Sequence, residues 1–412
     1  MKVRKISNSR YYSIILHAGK RAMGRMAFVI AGSTVVLLMS ACGVQAKQEE
    51  TAPAREPIEL TLPPALYAVP GVPVGFFYRN IVRPLDLNGL IFSVTCRIGK
   101  DDGKRWLIVA DEQDVGEHPL TVAVKNKDGL ILAEAKTVLR IVPRNAGKQQ
   151  TVRILIVGDS LTGRGGGYPS VMAQLLAKPG NPEWSMLGTR NSPEMPTIRT
   201  EGYPGWKWED FMTRYEPNPD PKNKKVSSPF VYAGAGGAPG LDLARYVREQ
   251  CGGKPPDIVT FLLGINDASR LYSSSEAGQN REKIDQGVKG ILENADNLLK
   301  AFRAVMPKAA LAVGIIPPAN VRDAAFAANF QGSRTVAGWK KIQHRVAQLM
   351  IERFKDREKE NIFLVPTELF LDPESGFPDN NAVHPNATGH EQLGVTFYSW
   401  MKWRLAQEGK EL

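Results

Sequence analysis

Two hydrophobic rhythms divide the chain. From Pro57 to about Val142, apolar and polar positions alternate. Ile58, Leu60 and Leu62 interleave with Glu59 and Thr61; Phe92, Val94, Cys96 and Ile98 interleave with Ser93, Thr95 and Arg97; Leu120, Val122 and Val124 repeat the pattern. A period of two places one side of each segment on a core face and predicts strands. Asp128-Gly129 turns the chain toward a further strand through Ile141. With Gly, Pro and Asp between the runs, residues 57–143 read as a small antiparallel β-sandwich domain. No cluster of His or acidic residues lies in it. Bracing a neighbouring domain is therefore its default role, and glycan binding is the other reading.

Pro143 to Thr151 is a short polar linker, and beyond it the rhythm changes. Apolar runs predict strands at 152–157, 258–263, 309–316 and 362–365, with a weaker one near 184–188. Within 284–305, Ile284, Val288, Ile291, Leu292, Ala295, Leu298, Leu299, Phe302 and Val305 keep the spacing of one helical face. Residues 335–355 and 389–405 read as helices too. Strands alternating with helices predict an α/β fold, a parallel sheet covered on both faces. Glu216 to Pro239, rich in Pro, Asn, Lys and Gly, interrupts the alternation. Long irregular stretches in compact domains either line a site or lack order. Trp206 and Trp208 just before it, and Tyr232 within it, are candidate substrate-binding residues that could stack on a sugar ring. Core packing is the competing reading for the tryptophans.

The chain has 412 residues, ample for two domains, and a globular composition with 43% hydrophobic residues. Its formal charge of +11 suggests nucleic acid until it is located. Residues 1–41 carry Lys2, Arg4, Lys5, Arg10, Lys20, Arg21 and Arg25 and no acid, so removing those seven leaves +4. No basic stripe interleaved with aromatics remains, and nucleic acid is not an expected partner. Those basic residues precede an apolar run from Met26 to Met39, broken only by Gly32, Ser33 and Thr34. Residues 1–41 therefore read as an export signal, too short in its apolar part for a comfortable membrane span. Met39-Ser40-Ala41-Cys42 resembles the lipobox of bacterial lipoproteins, which would make Cys42 a lipid-bearing membrane anchor. Val44-Gln45-Ala46 offers ordinary cleavage instead. Residues 42–56 are polar and Pro-containing, as suits a flexible tether. Either ending sends the protein to the cell envelope or beyond. The three cysteines, Cys42, Cys96 and Cys251, form no disulfide framework.

The chemistry-bearing stretch is Ile154-Leu155-Ile156-Val157-Gly158-Asp159-Ser160-Leu161-Thr162-Gly163. An apolar run ending at glycine reads as a buried strand, and open α/β sheets place ligands at such C-terminal tips. Gly158 and Gly163 have the spacing of the first two glycines of a phosphate loop. Arg164 and Gly165, however, stand where that loop needs Lys and Ser or Thr. A nucleophilic Ser160 competes with an ordinary capping serine. Three other features decide between them. Glu201-Gly202-Tyr203-Pro204-Gly205-Trp206 opens a predicted helix with glycine. Leu263-Gly264-Ile265-Asn266-Asp267 closes a strand as Gly-Asp-Ser does. Val383-His384-Pro385-Asn386 precedes the last helix.

In this order the four blocks resemble those of the SGNH (GDSL) hydrolase superfamily, over residues 151–406. Ser160 matches the family's serine, Gly205 its glycine (with Gly202 as fallback), Asn266 its asparagine and His384 its histidine. The resemblance implies a flavodoxin-like three-layer αβα fold and an acyl-serine esterase using no metal or cofactor. It also implies an oxyanion hole made by the Ser160 and Gly205 N–H groups and the Asn266 amide. The β domain and the Gly205-Trp206-Lys207-Trp208-Glu209-Asp210-Phe211 segment look like multidomain SGNH proteins of exported bacterial systems. His384 is the candidate base; His17 lies in the signal, His118 in the β domain, His344 mid-helix and His390 inside the final helix. One position departs from the family, which has Asp three residues before the histidine where this chain has Asn381. The corresponding exchange in a serine protease costs about 10⁴ in turnover. Three readings stay open: Asp379 reaches the histidine, Asn381 or a backbone carbonyl supports a Ser–His dyad, or the protein is inactive. The expected substrate is an O-acyl ester, most plausibly acetyl groups on a polysaccharide. A lipid or small ester is the enzyme alternative, and a non-catalytic glycan-binding surface lipoprotein the alternative from another class.

Overall fold

The computed structural model describes residues 58–163, 166–223, 225–234, 236–273 and 280–407. The expected export signal, Cys42 and the tether lie outside them. Chain contacts group Arg55–Leu412 into one compact unit, and the fold described here is that unit.

Its N-terminal part contains strands β1 (Ala65–Ala68) and β2 (Val74–Phe77), a single helical turn α1 (Tyr78–Ile81), then β3 (Ile91–Thr95), β4 (Lys100–Asp101), β5 (Arg105–Ile108), β6 (Gly116–Lys125) and β7 (Ile131–Ile141). They form one sheet ordered β1-β7-β6-β3 and another ordered β2-β5-β4. The β6–β7 hairpin turns where Asn126 Oδ1 accepts the N–H groups of Asp128 and Leu130. Two details correct the sequence reading. β1 pairs with β7 in parallel, Ala65 against Val138 through Ala68 against Ile141, so the region is not wholly antiparallel. All four β1 residues are buried, and Tyr67 packs against Trp403 with ring centroids 5.2 Å apart; a strand buried on both faces shows no alternation to read. The alternating stretch 58–62, in contrast, makes only an isolated bridge between Leu60 and Val82.

The second part runs β8 (Thr151–Gly158), α2 (Tyr168–Leu176), β9 (Glu183–Leu187), β10 (Arg190–Ser192), β11 (Met195–Gly202), α3 (Asp210–Thr213), β12 (Val231–Ala233), β13 (Pro239–Leu241), α4 (Leu243–Gln250), β14 (Ile258–Leu262), α5 (Ile265–Ser273), α6 (Arg281–Val305), β15 (Ala310–Gly314), α7 (Asp323–Phe330), α8 (Val336–Phe354), β16 (Ile362–Val365), α9 (Thr367–Phe370) and α10 (Ala387–Ala406). The main sheet is ordered β10-β11-β8-β14-β15-β16, with β9 also paired to β8. All its pairings are parallel except β10 with β11. Ile154 and Ile156 face Tyr168, Phe397 and Trp400 from α2 and α10. Leu155 and Val157 face Tyr246, Leu298 and Ile342 from α4, α6 and α8. Strand alternation thus supplies both helix layers, giving the αβα fold expected. The core under α10 continues without a break into Leu66, Phe76, Ile108 and Val122 of the N-terminal sheets.

The expected strands and the three long helices fall within a few residues of their sequence positions. The segment beginning at Glu201 differs: it ends strand β11 instead of opening a helix, and the short α3 begins only at Asp210. A carboxylate can close a buried strand because Glu201, fully buried, accepts bonds from Thr189 N–H and Oγ1 and from the Tyr203 and Tyr246 hydroxyls. Burial nonetheless pushes its carboxyl up to about 7.

On the far helix layer, Phe302 of α6 sits edge-on to both Phe230 and Phe261, each 5.2 Å away. Phe302→Ala is expected to destabilise the fold by about 3–5 kcal/mol, read as a lowered urea midpoint at unchanged slope.

Candidate active site

Strand register assembles the site. Gly158 ends β8 opposite Leu262, the last residue of β14, and opposite Gly202, the last residue of β11. The three loops that follow therefore emerge side by side at the C-terminal edge of the sheet, where α/β folds bind ligands. They carry Ser160, Asn266 and Gly205. The fourth loop, before α10, carries His384 to the same edge. Its Nε2 stands 2.9 Å from Ser160 Oγ.

Gly158 is required by crowding. A Cβ there would stand 2.0 Å from Thr162 Oγ1 and 3.0 Å from the Leu262 carbonyl oxygen. The turn after it is closed by Gly163 N–H donating to the Asp159 carbonyl at 3.0 Å and by Leu161 N–H donating to Asp159 Oδ1 at 2.9 Å. Tyr203 N–H donates to the Gly158 carbonyl at 2.8 Å. That bond draws the following turn against the serine loop, with Gly205 at φ +84° and open space beside it. The N–H groups of Ser160 and Gly205 donate to no acceptor among the described residues. Two donors are thus left without an acceptor, one on Ser160 itself and one on the turn tied to Gly158.

Asn266 opens α5. Its Nδ2 donates to Asp159 Oδ2 at 3.1 Å and to the Trp206 carbonyl at 3.0 Å. The amide is clamped between the serine loop and the Gly205 turn, and an oxyanion reaching it would share one of these hydrogens. Asp159 is fully buried, and burial pushes its carboxyl up to about 7, aided by the nearby Asp267, itself pushed to about 7 by burial.

The group that orients His384 is Asn381. Its Oδ1 accepts the backbone N–H groups of Val383 at 3.1 Å and His384 at 2.9 Å, and stands 3.2 Å from His384 Nδ1. The two backbone donors require an acceptor and so settle which end of the amide faces the ring. An oxygen there obliges Nδ1 to carry the proton. Nε2 is then the basic nitrogen, facing the serine. Asp379 does not take part: its side chain is 93% exposed and paired with Arg322 at 3.5 Å. Partial desolvation lowers the His384 pKa from its ordinary 6.5, keeping the ring neutral near pH 7.

The candidate sugar-stacking tryptophans lie elsewhere. Trp206 is 4% exposed, stacked on Tyr203 at 4.1 Å and edge-on to Phe211. Trp208 is 1% exposed and stacks on Phe261. Neither presents a ring face to a ligand; both belong to the core beneath the site. Tyr232, half-buried on β12, is covered by Arg245 at 4.4 Å. Sequence reasoning missed Asp159 as the clamp on Asn266, although it lies inside the recognised tripeptide. It also missed Asn320 and Asn329. Asn320 Nδ2 donates to the Pro378 and Asn381 carbonyls at 3.0 Å each, and Asn329 Oδ1 accepts Ala382 N–H at 2.5 Å. The signal for Asn320 was its place just after β15, at the same sheet edge as Ser160.

His384 is exposed and Ser160 half-buried, so the pair lies on an open rim. A cavity of about 400 Å³ opens at the other edge of the sheet, near Pro255, Ile258 and Ala310. Among the described residues no group of three or more His, Cys, Asp or Glu side chains is placed to hold a metal ion. Cys96 and Cys251 are unpaired.

The family description GDSL-like lipase/acylhydrolase matches residues 154–395. Among solved structures, the chain is similar to a family 3 carbohydrate esterase of Clostridium thermocellum at 17% identity, over 62% of this chain and 100% of that one, with a TM-score of 0.37. An acetylxylan esterase of Geobacillus stearothermophilus, solved as a catalytic mutant, is 16% identical over 60% of this chain and 92% of that one, with a TM-score of 0.31. The acetyl xylan esterase AlAXEase is 16% identical over 61% and 98%, with a TM-score of 0.30. No curated protein matches the present chain.

Gly158→Ala is expected to cost about 1–3 kcal/mol of stability through the forced contact with Thr162, measured by chemical denaturation.

Proposed function

The chain belongs to the GDSL-like lipase/acylhydrolase family and is a carboxylic ester hydrolase of that type; from this premise we propose that it removes short O-acyl groups, acetyl above all, from a polysaccharide outside the cytoplasm. The observation that carries the catalytic part is the 2.9 Å approach of His384 Nε2 to Ser160 Oγ. In this reading Ser160 Oγ attacks the ester carbonyl carbon while His384 Nε2 takes its proton. The oxyanion is held by the Ser160 and Gly205 N–H groups with a share of the Asn266 amide. His384 then returns the proton to the departing alkoxide, leaving acyl-Ser160 and a free sugar hydroxyl. Water enters, gives a proton to His384 and attacks the acyl carbonyl, and the acid and the free serine are regenerated.

Asn381 replaces the family carboxylate as the support of His384, holding the correct tautomer but carrying no charge against the imidazolium. It supplies orientation without the electrostatic part. The open rim around Ser160 favours a small acyl group on a bulky alcohol over a long acyl chain, which needs a deep apolar pocket. Export rests on the basic, apolar and small-residue succession of residues 1–41, with lipid at Cys42 as its anchor.

Mature protein should hydrolyse p-nitrophenyl acetate faster than p-nitrophenyl octanoate and release acetate from acetylated xylan or pectin. Ser160→Ala should reduce these rates to background. Equal rates in the variant and the parent would leave the site as a binding or scaffold surface. Asn381→Asp should raise turnover on the acetyl ester by about tenfold, as one pKa unit of imidazolium stabilisation is 1.36 kcal/mol. The parent's kcat/KM should fall as pH drops through a midpoint below 6.5, since protonation removes the base. In Asn381→Asp the new negative charge favours imidazolium, so that midpoint should move up by about 1–3 units. An unmoved midpoint would mean that residue 381 does not face the ring.

A further inference from the structure

The stretch between β16 and His384 is gripped by the N-terminal sheets. Asn80 of α1, fully buried, points its Nδ2 at three carbonyls: Glu368 at 2.8 Å, Leu369 at 3.3 Å and Leu371 at 2.8 Å. Lys340 Nζ holds the Asn80 carbonyl in turn, at 3.2 Å. Next along the strut, Lys104 Nζ meets Asp372 Oδ2 at 3.0 Å, and Arg79 meets Glu374 at 3.5 Å. Asp372 is buried, and its other oxygen accepts the N–H groups of Glu374 and Ser375. Three side chains of the β region therefore fix residues 368–374 of the hydrolase fold.

That strut carries the histidine loop on both sides. Downstream, Asn386 donates its N–H to the Gly376 carbonyl and its Nδ2 to the Ser375 carbonyl, each at 2.9 Å. Leu371 and Gly376 pack directly on Gly389 in the first turn of α10. Upstream, Val321 N–H donates to the Pro373 carbonyl at 3.1 Å, and its neighbour Asn320 holds the carbonyls of Ala382, through its N–H, and of Asn381, through Nδ2. The residues three before and two after His384 are thus both tied, within two bonded steps, to backbone that the β region clamps.

We propose that Asn80, Arg79 and Lys104 are positioning residues of the active site, and that the N-terminal β region is a working part of it through the 368–376 strut. None of the three touches Ser160 or His384; they act by fixing where Asn381 and Asn386 hold the imidazole. A displacement of about 1 Å in a reacting group costs on the order of a hundredfold in rate, so a slack strut lowers turnover before it unfolds the protein. This inference rests on Ser160 and His384 being the catalytic pair.

The test is the paired variant Arg79→Met/Lys104→Met in the mature protein. Cutting the partly exposed Arg79–Glu374 pair costs little stability, whereas Lys104→Met leaves the buried Asp372 without its cation and lowers stability. The readout is therefore one that does not depend on how much protein folds. Reactive Ser160 is counted with a fluorophosphonate, and kcat on p-nitrophenyl acetate is expressed per reactive serine. The expected result is a fall in kcat of about tenfold at a KM within about twofold of the parent, with Lys104→Arg restoring most of it when Arg79 is intact. Asn80→Ala should fall further, to about a hundredth. Parent-like turnover per reactive serine in the paired variant overturns the proposal, even where the reactive fraction drops, because a purely structural brace changes only how many molecules are folded. If Asn80→Ala does not fold, the paired variant decides alone. Inactivity of the parent protein would refute the Ser160–His384 reading instead.

Discussion

One oxygen atom decides whether this site can work. Asn381 Oδ1 accepts two backbone N–H groups and faces the Nδ1 nitrogen of His384. In a serine protease, asparagine in place of the supporting carboxylate is ruinous because the imidazole is held in the wrong tautomer. Here the neighbouring backbone removes that failure. An amide NH₂ pointed at Val383 and His384 would leave two donors facing a donor, so the oxygen must point there, and the ring must present Nε2 as a base. What is lost is the negative charge. Burial lowers the pKa of His384, and among the described residues no carboxylate pairs with the ring to offset it.

The same atom depends on the rest of the molecule. Asn381 sits in a loop held by Asn320 from the loop after β15, and that loop is tied to the strut that Asn80, Arg79 and Lys104 fix from the β region. Ser160 has separate supports: the register of β8 between β11 and β14, and the crowding of Gly158 by Thr162. Ser160 and His384 are thus positioned by different parts of the chain, and their 2.9 Å contact is where the two sets of constraints meet. The continuous core beneath α10 makes those parts one body.

Much of this was legible in sequence because it rests on local patterns. Apolar runs gave the parallel strands, and the face of α6 was readable from Ile284 to Phe302. The four motif blocks mark Ser160, Gly205, Asn266 and His384 by their order and spacing alone. The illegible parts share a physical cause: they depend on what lies across space. Strand β11 was missed because Glu201 and Gly202 are buried in it, and only the Tyr203, Tyr246 and Thr189 donors make a buried Glu tolerable there. The parallel pairing of β1 was hidden because all four of its residues are buried. Trp206 and Trp208 gave no sign of which way they pointed, since an aromatic ring serves a core and a sugar site equally well. The choice between Asp379 and Asn381 turned on the direction of a side chain within one short loop, which spacing does not encode.

The central claim is therefore about a proton on His384, and nitrogen NMR of the imidazole reads it directly. In protein labelled with ¹⁵N histidine, held above the histidine's titration, His384 should show a protonated Nδ1 and an unprotonated Nε2. Asn381→Ala should lose that preference. A neutral His384 protonated at Nε2 in the parent protein would contradict the account, because Asn381 would then be presenting its NH₂ group and the imidazole would have no base to offer Ser160.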